Sequence, residues 1–311
     1  MSSFMRLYRL WRSSALAQRA ANRFSSATDY IPPFLTTALK YAFAEWEYLP
    51  DGWPKRGGHI EGWNDSSIAA AQEKHWPTLV ENLRGSGPLG VSHFPWRMTR
   101  ENRADHNAMM SYGYVLARAA RTKDTVSILD WGGGVGHYHL YSRALLPEIH
   151  IDYHCYDVPS LCRLGRTLSP EVHFHEDESE LCRIRFDLVI SSSSLHYFEN
   201  WRETVRSLAG VTREFLYIAR LQTIQKRPSF VVTQRPYRVG YNTEYASWFL
   251  NRQELLNSAV ESDLELVREF VYAEDWYVRN APEQGDCRGF LFRRRTLEAL
   301  PVRALDMSNH E

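Results

Sequence analysis

Asp130, Gly132, Gly134 and Gly136 fall at alternate positions in ILDWGGGVG, Ile128 to Gly136, directly after an apolar run. Glycines at that spacing let a chain leave a strand and enter a helix with φ > 0, and they open the backbone to close approach by a ligand. A dinucleotide loop would instead read G-x-G-x-x-G, with a helix N-terminus facing a pyrophosphate. Here His137 stands where that third glycine would be. Asp130, two residues before the first glycine, would repel a pyrophosphate and suit the ammonium and sulfonium of S-adenosylmethionine (SAM). The pattern favours SAM over NAD, with a purely structural strand-to-helix turn as the plain alternative.

Other acids follow in the order a nucleoside site requires. A second apolar segment, His150 to Tyr156, ends in Asp157, about 20 residues past the glycines, where a carboxylate accepts ribose hydroxyls. A third segment, Val172 to His175, ends in Glu176 and Asp177. Either acid could take a hydrogen bond from the adenine amino group; the other reading of HEDESE is a solvated acidic loop. A fourth, Phe186 to Ser191, runs through Ser192 to Phe198, a polar edge for the cleft. Transfer of a methyl group from SAM leaves the protein to position the acceptor and remove its proton. His196, in SLHYF, is the candidate base, since an imidazole of near-neutral pKa can take a hydroxyl proton; the competing role is pocket lining.

The elements that must hold these residues are readable from pattern. Strand and helix alternate from Val126, implying a parallel sheet with right-handed crossovers. Helices are expected over Gly136 to Leu146, Ser160 to Leu168 and Trp201 to Leu208, with a fifth strand over Glu214 to Arg220. Asn251-Arg-Gln-Glu254 reads as a capping box opening a helix to Glu261. Leu264 to Ala273 and Cys287 to Arg293 alternate like a terminal antiparallel pair. Upstream, Pro32 to Tyr48, Asp65 to Leu83 and Arg100 to Arg121 carry helical periodicity and would cap the cleft, with His106 and Tyr112 on the third of them. The insert Leu221 to Leu250 lies on the ligand side. It presents Gln234, Arg235, Tyr237, Arg238, Tyr241, Tyr245 and Trp248, a wall suited to a hydroxyl-rich acceptor, or else an Ω-like loop.

With motifs in this order from Val126 to Arg220, the chain resembles a class I SAM-dependent methyltransferase. More narrowly, it is similar to a poorly characterised bacterial family of methyltransferases often encoded beside surface-polysaccharide genes. Gly62-Trp63, His106-Asn107, the glycine loop, and Phe230 to Gln234 with Trp248 carry that likeness, which spans Tyr30 to Arg294. The resemblance implies an α/β fold, a Rossmann-like seven-stranded sheet with an N-terminal helical cap, and SAM as cofactor. It also implies methylation, chiefly at oxygen, of a sugar-like or other small polar acceptor. His196 resembles the histidine that plant-type small-molecule O-methyltransferases place after the same strand. Asp130, Gly132, Gly134, Gly136, Asp157, Glu176, Asp177 and Ser192 would hold the cofactor, and His106, Arg220, Gln234, Tyr237 and Tyr241 the acceptor. The expected division is an extension over residues 1–29, a cap over 30–121, the SAM-binding domain over 122–295 with its insert at 221–250, and a tail over 296–311. Rival readings are a catalytically silent SAM-binding scaffold of a membrane-associated assembly and an NAD-type oxidoreductase.

Composition suits a soluble enzyme with one large domain, or one domain with an appendage: 311 residues, 44% hydrophobic, 24% charged, and a formal net charge of zero. No basic field points to nucleic acid, and the aromatics are not interleaved with Lys and Arg. No metal set is apparent at the expected spacings. The four cysteines lack CxxC pairing and read as buried thiols of a reducing, cytoplasmic compartment. No apolar run is long enough to span a bilayer. Within residues 4–23, Arg6, Arg9, Arg12, Arg19 and Arg23 accompany an apolar face of Phe4, Leu7, Tyr8, Trp11 and Ala15. This segment reads as an organelle transit peptide, an amphipathic helix for peripheral contact at the inner membrane face, or a loosely ordered extension.

Overall fold

Period-two apolar patterning from Thr125 onward builds a doubly wound sheet, seen in a computed structural model that describes residues 44–54, 62–89, 103–237, 240–272 and 277–295. In chain order the strands and helices are β1 (Trp46–Leu49), α1 (Ser66–Arg84), α2 (Arg103–Ala120), β2 (Thr125–Trp131), α3 (His137–Leu145) and β3 (His150–Tyr156). There follow α4 (Pro159–Leu168), β4 (His173–His175), β5 (Phe186–Ser192), α5 (Trp201–Val211), β6 (Thr212–Ile224) and β7 (Phe230–Gln234). The chain closes with β8 (Tyr245–Asn251), α6 (Arg252–Glu261), β9 (Leu264–Val271), β10 (Val278–Arg279) and β11 (Asp286–Arg294).

The main layer runs β4-β3-β2-β5-β6-β11-β9, with the first five strands parallel and β11 antiparallel to both its neighbours. This is the Rossmann-like seven-stranded arrangement expected from the sequence, with β11 inserted between β6 and β9. Alternation sorts the core onto two faces. Ile128, Leu188, Ile190 and Tyr217 pack with α1 to α4, while Leu129, Val189, Leu216 and Ile218 pack with α5 and α6. The parallel strands carry apolar residues on both faces because both are covered. Trp201, Tyr112 and Tyr141 are among the largest side chains fully excluded from water.

Two expectations need correction. The described end of the segment expected as a helix over Pro32 to Tyr48 is instead strand β1, antiparallel to β7 from Trp46↔Gln234 to Leu49↔Val231; residues before Ala44 lie outside the described set. Pairing with an open strand edge outweighs a short helical pattern in which aromatic residues already favour extended backbone. The insert, for its part, is no Ω-like loop. It supplies β7 and β8, an antiparallel pair, and β8 continues the main sheet by pairing with the end of β6 at Thr223↔Leu250. Together β10, β1, β7 and β8 enclose a small core of Trp46, Ile224, Phe230, Val232, Phe249 and Val278.

Helix ends follow local chemistry. Asp65 caps α1 by accepting the Ser67 N–H at 2.7 Å. Asn251 caps α6, accepting from Gln253 and Glu254, yet the capping box is half made. Glu254 turns instead to Ser229 and Arg202, and the Asn251 N–H donates to the Ser229 hydroxyl at 2.8 Å. Cys155, Cys162 and Cys287 are buried as expected, but Cys182 is exposed. Among the described residues no helix is long and apolar enough to cross a membrane, and residues 4–23 lie outside them.

Candidate cofactor and active site

The connections from β2 and β5 leave on opposite faces of the sheet, which opens a crevice beyond the carboxyl ends of these neighbouring strands. The glycine loop lies at that crevice. Gly132, Gly134 and Gly136 take φ of 75°, 64° and 89°, a region L side chains rarely enter. A methyl group on Gly132 would also stand 2.5 Å from Ser194 Cβ, and one on Gly133 would overlap the Asp130 carboxylate. Asp130 is therefore packed beneath the loop. One of its oxygens accepts the Tyr153 hydroxyl at 2.7 Å, the other has no partner among the described residues, and burial pushes its pKa to about 7.

Asp157 closes the loop from the tip of β3. Its two carboxylate oxygens accept the N–H groups of Gly134 and Val158, each at 2.7 Å, leaving a further lone pair on each oxygen. Burial raises this carboxyl to about 6 against the opposing pull of the two N–H groups. Glu176 and Asp177 lie further out on the rim and are exposed. Glu176 pairs with Arg166 at 2.6 Å, and Asp177 caps the turn Glu178–Glu180 by accepting the Ser179 N–H, a bond that lowers its pKa. Ser192 Oγ lies 2.8 Å from the Tyr138 hydroxyl. Ser194 bridges the two strand tips, with its Oγ 2.8 Å from that of Ser191 and donating to the Trp131 carbonyl.

His196 does not have the near-neutral pKa expected of it. The ring sits in the short turn Leu195–Tyr197, fully buried, with neither nitrogen partnered among the described residues, and burial drives its pKa down to about 3. Around it stands an aromatic wall. Trp63 stacks on Tyr245 at 4.6 Å and meets Tyr197 and Tyr241 edge-on. The Tyr197 hydroxyl donates to Gln234 at 2.6 Å, and Gln234 donates to Glu45 at 2.6 Å. The Tyr245 hydroxyl is buried with no partner among the described residues. From the cap, Gln72 reaches the loop: a Cβ on Gly134 would lie 3.3 Å from its Oε1.

Of the residues expected to touch an acceptor, Gln234 and Tyr241 belong to this wall. Tyr241 is buried, and its hydroxyl is pushed up to about 12. Tyr237 donates to Glu244 at 2.6 Å. Arg220, with φ of 51° opposite an irregularity in β11, binds the buried Asp105 at 2.5 Å. His106 is set apart. Asp105, Met109 and Tyr112 form the inward face of α2, whereas His106 is exposed and lies 3.3 Å from the Leu89 carbonyl, which argues against substrate contact. Trp248 also turns away, donating to the Glu199 carbonyl and stacking on Trp53; Arg238 lies outside the described residues. Sequence reasoning missed Gln72, Ser194 and Glu45. Only Ser194 left a signal, as part of the serine run after β5.

No protein-family model matches the sequence, and no curated protein matches it. Among solved structures, the chain is similar to a magnesium protoporphyrin IX methyltransferase from Synechocystis PCC 6803 with bound SAM: 12% identity, TM-score 0.43, 75% of this chain and 100% of that one. It is also similar to 1,6-didemethyltoxoflavin-N1-methyltransferase from Burkholderia thailandensis: 15% identity, TM-score 0.43, 72% and 91% covered. An amino pentose methyltransferase from Micromonospora echinaspora gives 14% identity and a TM-score of 0.38, with 61% and 91% covered. Likeness this loose carries no inference about activity.

Proposed function

We propose that the protein is a SAM-dependent methyltransferase that methylates a small polar, sugar-like acceptor at oxygen. The observation that carries the reading is the Asp157 clamp: a carboxylate at the tip of β3 fastens the N–H of Gly134 and keeps one free lone pair on each oxygen for a pair of ribose hydroxyls. The loop fits a nucleoside cofactor because Gly132, Gly134 and Gly136 turn through positive φ and leave bare backbone at the crevice, above an Asp130 oxygen that is buried with no partner among the described residues. Gly132, Gly134, Gly136 and Asp157 would hold the cofactor, Asp130 would set a negative field beneath it, Ser192 would border it, and Glu176 and Asp177 would offer acceptors at its adenine end. The chemistry supplied by bound SAM is a methyl carbon already activated by a sulfonium, so the protein's task is alignment and proton removal.

Trp63, Tyr197, Tyr241 and Tyr245 give flat apolar faces, and Gln234 and the Tyr245 hydroxyl give polar groups to meet an acceptor's hydroxyls. His196 works as a neutral imidazole that accepts a hydrogen bond from the acceptor's hydroxyl and so orients its oxygen, and the proton released as that oxygen takes the methyl group passes to solvent water. A full charge on the ring is disfavoured, since no carboxylate lies within hydrogen-bonding reach of it among the described residues. In this reading residues 4–23 give peripheral contact with the inner membrane face from a cytoplasmic protein. The test is calorimetry with SAM and S-adenosylhomocysteine on wild type and Asp157→Ala. Undiminished affinity in the variant refutes the clamp, and mass spectrometry of extracts incubated with labelled SAM identifies the acceptor.

A further inference from the structure

Two adjacent strands carry a histidine or an aspartate at every second position: His150, Asp152 and His154 on β3, and His173 and His175 on β4. Parallel pairing sets His154 opposite His173 and Tyr156 opposite His175, so Asp152, His154, His173 and His175 share one face of the sheet, while Tyr153, Cys155 and Phe174 are buried on the other. His154 Nε2 and His173 Nε2 approach the same oxygen of Asp152, at 3.4 and 3.8 Å, and the three atoms lie within 4.8 Å of one another.

A chain of hydrogen bonds behind them decides which nitrogen is available. His175 Nδ1 lies 2.8 Å from the Glu180 carboxylate, which can only accept, so His175 carries its proton on Nδ1 and presents Nε2 as an acceptor. That nitrogen is 2.9 Å from His154 Nδ1, which must therefore donate. A neutral His154 is then left with a bare lone pair on Nε2, aimed at Asp152. Two electron-rich atoms facing each other at 3.4 Å leave a place for a cation, filled by a proton on the ring or by a metal ion.

We propose that Asp152, His154 and His173 bind a divalent transition-metal ion of the zinc class, with Glu180 and His175 orienting the ligand ring from behind. Two imidazoles and one carboxylate match such ions better than magnesium or calcium, which prefer all-oxygen sets. At metal–ligand distances near 2.05 Å, ligand atoms on a tetrahedral ion stand roughly 3.3 Å apart; the Asp152–His154 pair already stands near that, and His173 closes in from 3.8 Å on Asp152 and from within 4.8 Å on His154. His173 has 64% of its side chain exposed and Asp152 41%, which leaves room for the ring to move and for water to complete the shell. Such an ion would tie β4, a three-residue edge strand, to β3 just before the chain enters Glu176 and Asp177. The carboxylate–histidine–histidine relay matches the way metal-bound imidazoles are held elsewhere.

The test titrates zinc chloride into metal-stripped, tag-free full-length protein by calorimetry, with cobalt absorption as an independent probe and magnesium as control. One equivalent of zinc should bind, with a tetrahedral cobalt spectrum, a rise in Tm, and no response to magnesium. His173→Ala removes a ligand on an exposed side chain and should weaken zinc by tenfold or more. Glu180→Gln, which touches no metal, should weaken it by about tenfold through the lost orientation. Zinc binding that is absent, or equally tight in wild type and His173→Ala, overturns the site and leaves a protonated histidine network.

Discussion

The Asp157 carboxyl, held at about 6 by burial, makes cofactor affinity depend on pH in a way that follows from its sign. Only the ionised carboxylate offers an acceptor lone pair on both oxygens once Gly134 and Val158 have taken one each. At about pH 8 it is fully ionised; at about pH 5 roughly one molecule in eleven is. Affinity for SAM should therefore fall about tenfold between those pH values. S-adenosylhomocysteine has the same ribose and should show the same loss. Asp130, pushed to about 7 beneath the loop, loses its charge over the same range, and that loss penalises the sulfonium more than the neutral thioether. The curve for SAM should accordingly be the steeper of the two. Calorimetry at several pH values, in two buffers of different ionisation enthalpy, measures both affinity and proton release. Affinity that stays flat from pH 8 to 5, or the same slope in Asp157→Asn, would refute the reasoning. Fold stability is a poorer readout. Raised carboxyls favour the folded state below about pH 4 and lose that contribution as pH rises through 6 to 7, whereas the depressed His196 loses stability as pH falls through its unfolded value of 6.5, so the two partly cancel.

Gly132→Ala meets both a φ of 75° and the Ser194 side chain, so it should cost about 1–3 kcal/mol in urea unfolding and weaken SAM; a neutral result would mean the loop is not rigid. His196→Ala should slow methylation by up to roughly a hundredfold while leaving SAM affinity nearly intact, and unchanged turnover would retire its role in orienting the acceptor. Asp105→Ala removes the carboxylate bound to the Arg220 guanidinium, which is only 17% exposed, and should destabilise the protein by about 3 kcal/mol, with part recovered in the double variant Asp105→Ala/Arg220→Met. Equal unfolding midpoints in wild type and single variant would show that Arg220 is satisfied without Asp105.

Much of the fold was legible because neighbouring residues decide it. Asp65 and Asn251 mark helix starts with their own side chains, and the unbroken apolar pair Ile128-Leu129 announces a strand covered on both faces. Where pairing partners are remote the pattern misleads. Trp46 to Leu49 is a strand because Gln234 to Val231 lies alongside it, and the insert becomes a hairpin for the same reason. The histidines of β3 and β4 carry no spacing in the sequence that marks a site, because only the parallel register sets His154 opposite His173.

What the sequence alone determined is the chemistry of the loop: glycines where the backbone must turn through positive φ, and acids at successive strand ends. What only the tertiary structure decided is the state of each group. Asp130 went beneath the loop, Asp157 onto it, and His196 into the interior, where burial keeps its ring neutral. Residue type sets which proton or lone pair a side chain carries, whereas burial and the partners brought from distant segments set its pKa and its aim, and those depend on packing across the whole sheet.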